Sequence, residues 1–138
     1  SFEPTPGLTV EPIAVQHRKD FSDTFAFRIS GEKQTILFAP DMDSLDGVEQ
    51  LLDGVDVAYL DGTFFDENEL PNRDVAQVPH PLIKESIQSL QEFSVDYPGV
   101  IRFIHFNHSN PVLHDKILES ALNDLGFGIT KHLDQLSF

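Results

Sequence analysis

The feature that most limits what this chain can fold into is a change of rhythm along it. Three short alternating runs come first: Leu8-Thr9-Val10-Glu11-Pro12-Ile13-Ala14-Val15, Thr24-Phe25-Ala26-Phe27-Arg28-Ile29 and Thr35-Ile36-Leu37-Phe38-Ala39. Such alternation predicts strands, and Gly31 between the last two predicts a hairpin. From Ser44 onward helical spacing enters. Ser44-Leu45-Asp46 opens a short helix carrying Val48, Leu51 and Leu52, and Gly54 stops it before Val55-Asp56-Val57-Ala58-Tyr59-Leu60 reads as a strand running into Asp61-Gly62-Thr63. The acidic stretch from Phe64 to Pro79 has no period and is expected to be a loop. Leu82, Ile83, Ile87, Leu90 and Phe93 then follow Pro81 at helical spacing, which puts His80 at a helix N-terminus. After Pro98-Gly99, Val100 to Phe106 is the most strand-like run of all. Asn110 and Pro111 open a final helix whose expected buried stripe is Leu113, Ile117, Leu118, Ala121 and Leu122, ending near Gly126, with a short strand over Phe127 to Leu133. Strands first, then strands and helices in turn, is an α/β layered pattern with helices covering at least one sheet face.

Titratable residues recur where the strands end: His17, Asp41, Asp61 and His105. In layered α/β folds such ends converge on one edge of the sheet, where ligands bind. Each has two readings. His17 suits a solvated turn or a ligand, and Asp41 or Asp43 suits a helix cap or a ligand. His105, in or at the end of an apolar run, must find a partner there, as a satisfied core histidine or as a metal ligand. Asp61 fits an ordinary turn, or an acid that orients or accepts a proton from a neighbouring histidine; His80 fits a cap or the partner of such an acid. His108, His114 and His132 read as exposed.

The chain has 138 residues, a size expected of one domain, and no cysteine, which excludes a disulfide framework and a thiolate zinc site. Histidine, Asp and Glu are the strong metal ligands left. With 9 Lys+Arg against 23 Asp+Glu, the net charge of −14 repels phosphate, which argues against nucleic acid or an anionic membrane surface as partner and suits cations. No run approaches the roughly 20 apolar residues of a membrane span, and Ser1 to Gly7 has neither the basic start nor the apolar core of a signal peptide. The expected location is cytoplasmic.

These residues also carry a family resemblance. Ala14-Val15-Gln16-His17, followed after six residues by Thr24 to Ile29, resembles the segment of the metallo-β-lactamase superfamily in which a metal-binding histidine leads through a short loop into a strand. Ile36-Leu37-Phe38-Ala39-Pro40-Asp41 is similar to the strand whose aspartate bridges two metals. Tyr59-Leu60-Asp61-Gly62-Thr63-Phe64 resembles the strand and turn of the branch that holds pyrroloquinoline quinone biosynthesis proteins and transfer-RNA 3′-processing nucleases. Ile104-His105-Phe106-Asn107-His108-Ser109-Asn110-Pro111-Val112-Leu113 is similar to the I-H-x-N-N-[ST]-N-P-[VI]-L stretch of the first of these.

The resemblance implies the C-terminal half of a metallo-β-lactamase αββα sandwich: a mixed sheet with helices on one face, residues 1–138 forming a single half-domain. It implies His17, Asp41 and His105 as metal ligands, with Asp41 the bridging carboxylate, and Asp61 and His80 as an outer catalytic pair. The implied cofactor is a divalent metal, zinc first and Mn or Fe next, with two ions in the complete domain. The family's H-x-H-x-D-H motif does not occur in these residues, Pro79-His80-Pro81 stands where relatives have a Gly-His pair, and His108 replaces an Asn. The expectation is therefore a metal-dependent hydrolase-like domain, inactive alone and acting on a small molecule once joined to its other half. A non-catalytic dimerisation or partner-binding module without the metal centre is the alternative. A lone half would leave one sheet face apolar and exposed, which 12 phenylalanines would suit.

Overall fold

The alternating runs become strands of one sheet. The computed structural model describes residues 1–15, 23–70, 72 and 77–132. Strands β1 (Phe2–Thr5), β2 (Leu8–Val15), β3 (Thr24–Ser30) and β4 (Thr35–Ala39) are followed by helix α1 (Val48–Leu51) and β5 (Val57–Asp61). Helix α2 (Ile83–Asp96), β6 (Ile101–Ile104), α3 (Lys116–Asp124) and β7 (Gly128–Ile129) complete the order. The seven strands lie side by side in chain order, antiparallel from β1 to β4 and parallel from β4 to β7. Hairpins suffice for the first half, whereas each parallel step needs a crossover, and α1, α2 and α3 supply the three.

Side-chain alternation then divides the sheet into two faces. On β4, Leu37 and Ala39 point with Ala26, Ala58, Leu60, Ile101 and Phe103 into a core that also takes in Val48, Leu52, Ile83, Leu90 and Leu122 from all three helices. Crossovers of one hand between successive neighbours put every helix on the same side, so this face is the covered one. Ile36 and Phe38 point the other way, into a second apolar cluster with Ile29, Val57, Tyr59 and Ile104. Among the described residues that cluster is made of strand residues alone. The architecture is thus an α/β mixed sheet with its helices on one face, as the sequence pattern implies.

Helix ends position the loops. The backbone N–H groups of Ile83 and Lys84, unpaired within α2, donate to the carbonyls of Phe64 and Phe65 at 2.9 and 3.1 Å. The Glu85 carboxylate accepts from the Leu82 N–H at 2.9 Å. The loop leaving β5 is thereby pinned to the start of α2, with His80 two residues before the Leu82 cap. At the far end Gly126 holds φ +87°, and a side chain there would run into the Ser94 carbonyl. The Ser94 hydroxyl donates to the Leu125 carbonyl at 2.9 Å, so α2 and the end of α3 meet backbone to backbone.

Two expectations are corrected. The final helix does not start at Asn110: Asn110 caps one 3₁₀ turn, Pro111–Leu113, and a second helix, α3, begins after Asp115. The Asp115 carboxylate accepts the N–H groups of Ile117 and Leu118 at 2.9 and 3.1 Å, a stronger start signal than continuation through His114. The break shifts the helical phase, so Ile117 is 83% exposed and Leu122 carries the burial of α3. Strand β1 was not foreseen, because all four of its residues are exposed and leave no alternation to read. The described end of the chain holds Gly128–Ile129 as strand, and Leu133, the last residue of the expected strand, lies outside the described residues. No helix among the described residues is long and apolar enough to cross a membrane.

Candidate metal centre

The parallel half of the sheet builds the site, because parallel strands deliver their C-terminal ends to one edge. Asp41 follows β4 by two residues, Asp61 is the last residue of β5, and His105 follows β6 directly. Register brings the last two together, since Asp61 pairs with Ile104. His80 comes in from the loop pinned ahead of α2. One donor atom from each of Asp41, Asp61, His80 and His105 lies within 4.8 Å of every other.

Asp61 is the fixed point of this group. Its side chain is buried, and four hydrogen bonds reach it. Oδ1 accepts from the Thr63 N–H at 2.9 Å and the Thr63 hydroxyl at 2.7 Å. Oδ2 accepts from the Met42 N–H at 3.2 Å and from His80 Nδ1 at 2.7 Å. Burying a carboxylate in an apolar surround is costly unless such bonds replace its water, and here they fill its ordinary acceptor capacity. Asp61 is thus enclosed by its own hydrogen bonds, whereas the Asp41 side chain is 37% exposed. His80 Nδ1 also lies 3.5 Å from Asp41 Oδ1. Phe64 packs edge-on to the His80 ring at 6.0 Å between centroids, and the His80 and His105 rings are 6.1 Å apart.

His105 is exposed and adopts φ +65°, the one left-handed residue other than glycine among those described. That region is uncommon for a side chain with a Cβ and marks a position held by its surroundings. The apolar strand ends at Ile104, so His105 lies on a bend and not within the strand, and its Nδ1 sits 3.1 Å from the Thr63 hydroxyl. The bend is secured from both sides: the Gly62 N–H donates to the Ile104 carbonyl at 2.8 Å and the Asn107 N–H to the Thr63 carbonyl at 2.9 Å.

Two residues that sequence reasoning did not single out for the site hold it in place. The fully buried Asn110 accepts from the Val112 N–H at 3.1 Å as the expected cap, but its amide also donates to the carbonyls of Gly62 and Thr63 at 2.8 and 3.3 Å. Thr63 links Asp61 to both histidines, with its hydroxyl 3.3 Å from His80 Nδ1. The D-G-T turn at a strand end was the available signal for it. A side chain at Gly62 would force its neighbours to shift, because a Cβ there would sit 2.9 Å from both Phe103 Cβ and Phe106 Cε1.

Asp41, Asp61, His80 and His105 are therefore brought together. His17 lies in residues 16–22, outside the described residues. His108, His114 and His132 are exposed, as read from the sequence.

The donor set of two imidazoles and two carboxylates without a thiol suits zinc, manganese or iron. Donors held at about 2.0–2.2 Å from an ion lie roughly 3.3–3.6 Å apart, so a cluster within 4.8 Å is of the right size for one.

No curated protein matches the chain. Among solved structures, the crystal structure of Zn(2+)-bound PqqB from Methylobacterium extorquens is similar in fold, with a TM-score of 0.76 and 22% sequence identity. The match covers 94% of this chain and 50% of that one, so the chain spans about half the length of its structural relative. The family model described as "Beta-lactamase superfamily domain" matches residues 1–116, well over half of the sequence. With a mixed sheet, helices on one face and a PqqB-like fold, the chain belongs to the beta-lactamase superfamily.

Proposed function

We propose that the chain is the C-terminal portion of a metal-dependent hydrolase-like domain, in which Asp41 and His105, joined by His17, hold a divalent metal while Asp61 and His80 act as an outer pair. The observation that carries this reading is the convergence of Asp41, Asp61, His80 and His105 at the ends of three parallel strands and the loop before α2. Zinc is the preferred ion, supported by the donor set and by the zinc in the PqqB structure. A bound divalent ion supplies a Lewis acid and a water activated at neutral pH.

The protein's own groups do the rest. Asp61 receives the Nδ1 proton of His80, which fixes the ring and leaves Nε2 as the nitrogen that takes or returns a proton at a leaving group. Asp41 would contribute a carboxylate ligand to the metal. Grooves on either side, one lined by His80, Asp43 and Glu85 and the other by Phe64, Asn107 and Ser109, suit a small molecule. Net charge −14 argues against a nucleic-acid strand there. In this reading a second half-domain carries the H-x-H-x-D-H motif and completes a two-ion site, and residues 1–138 alone are inactive.

Equilibrium dialysis of the full native chain against zinc and manganese tests the reading. Stoichiometric uptake that His105→Ala and Asp41→Ala reduce at least about 10-fold supports it. Absence of uptake removes it. The alternative reading is a module that pairs with a partner without a metal. Sedimentation of the metal-free chain separates the two, since only the module assembles fully without metal.

A further inference from the structure

We propose that Thr63 is a positioning residue whose hydroxyl, anchored on Asp61, sets the tautomer of His105. This rests on the metal-centre reading above for its purpose, but its physical basis is independent of any ion.

A hydroxyl has one proton to give and two lone pairs to offer. Asp61 Oδ1, 2.7 Å from Thr63 Oγ1, belongs to a carboxylate that can only accept, so the hydroxyl proton is committed to it. Thr63 Oγ1 can then meet His105 Nδ1, at 3.1 Å, only as an acceptor. Nδ1 of His105 must therefore carry the proton, and in a neutral imidazole the lone pair is left on Nε2. His80 obeys the same carboxylate directly, through Nδ1 to Asp61 Oδ2 at 2.7 Å. Its 3.3 Å approach to the Thr63 oxygen is a longer second contact of that same N–H. One buried acid thus dictates the proton placement of two rings, one by contact and one through a hydroxyl.

The hydroxyl can do this because Thr63 is not free to turn. Its own N–H is held by Asp61 Oδ1 at 2.9 Å, and its carbonyl takes the Asn107 N–H and the Asn110 amide. The residue is also buried, at 8% exposure, so water does not compete for the hydroxyl. His105, exposed and on a left-handed bend, has no comparable enclosure of its own and depends on this partner.

Long-range proton–nitrogen spectra of the metal-free full chain read each tautomer directly, in alkaline buffer where free imidazole is neutral. The wild type and Thr63→Ser, which keeps the hydroxyl, are expected to hold His105 protonated on Nδ1. Thr63→Val, which keeps the shape without the hydroxyl, is expected to move His105 largely to the Nε2–H form and to weaken zinc binding by about 10-fold or more. An Nε2-protonated His105 in the wild type overturns the assignment, as does an unchanged tautomer in a folded Thr63→Val. If Thr63→Val does not fold, the wild-type spectrum decides alone. Expected tautomers in a chain that takes up no zinc support the role of Thr63 while removing the metal reading. Zinc uptake with the wrong tautomer does the reverse.

Discussion

His80 Nδ1 donates to Asp61 Oδ2 across 2.7 Å, and the carboxylate that receives it is buried with three further donors around it. Such a carboxylate resists replacement even by its own amide. Asp61→Asn turns an NH₂ toward a backbone N–H that can only donate, Thr63 N on one side or Met42 N on the other, and is expected to lower unfolding free energy by about 1–3 kcal/mol. Urea denaturation measures the loss. The same variant should loosen His80, seen as a collapse of its distinct ring resonances.

Asn110 joins the 3₁₀ turn to the carbonyls of Gly62 and Thr63. Asn110→Ala removes a cap and leaves two buried carbonyls short of a donor, at a cost of about 1–3 kcal/mol. Zinc affinity should fall along with stability, since the turn that carries Thr63 is no longer tied. Asn110→Asp, which keeps the cap but sets a buried carboxylate oxygen against both carbonyls, should fall below Asn110→Ala in denaturant midpoint.

Gly62→Ala drives a methyl to within 2.9 Å of Phe103 and Phe106. The strand ends must separate to admit it, with an expected loss of about 1–3 kcal/mol and a fall in melting temperature of several degrees. Calorimetry of this single variant checks it.

Phe103 is fully buried and stacks on Phe127 at 5.7 Å between ring centres. Phe103→Ala opens a cavity between the sheet and α3 and should cost about 3–5 kcal/mol. Phe103→Leu should cost markedly less, measurable by the same urea transition.

Ile36, Val57 and Tyr59 are only 2%, 7% and 5% exposed, so among the described residues the second sheet face does not carry the exposed apolar patch expected of a lone half.

Much of this could be read from the residues. Alternation marked β2 to β4, continuous apolar runs marked β5 and β6, and Pro81 with the apolar spacing behind it marked α2. Asp41, Asp61, His80 and His105 stood out as polar groups at the ends of apolar runs, and the structure gathers them. What escaped was tertiary in origin. β1 is a strand only because β2 offers it an edge, and the break at Asp115 depends on one side chain outcompeting helix propagation. The left-handed turn at His105 and the bonds from Thr63 and Asn110 join residues 42 to 48 positions apart, which no local pattern encodes.

The identity of strand order with chain order has a kinetic consequence. No strand must be inserted between two already paired, so every pairing closes the shortest loop available to it, and the contact order is low for a seven-stranded sheet. During synthesis, at about 5–20 residues per second, each strand can add to the edge just left by its predecessor. The hairpins from β1 to β4 can thus be in place before His80 or His105 has emerged from the ribosome, and the edge where Asp41, Asp61 and His105 meet is among the last parts of the sheet to be finished.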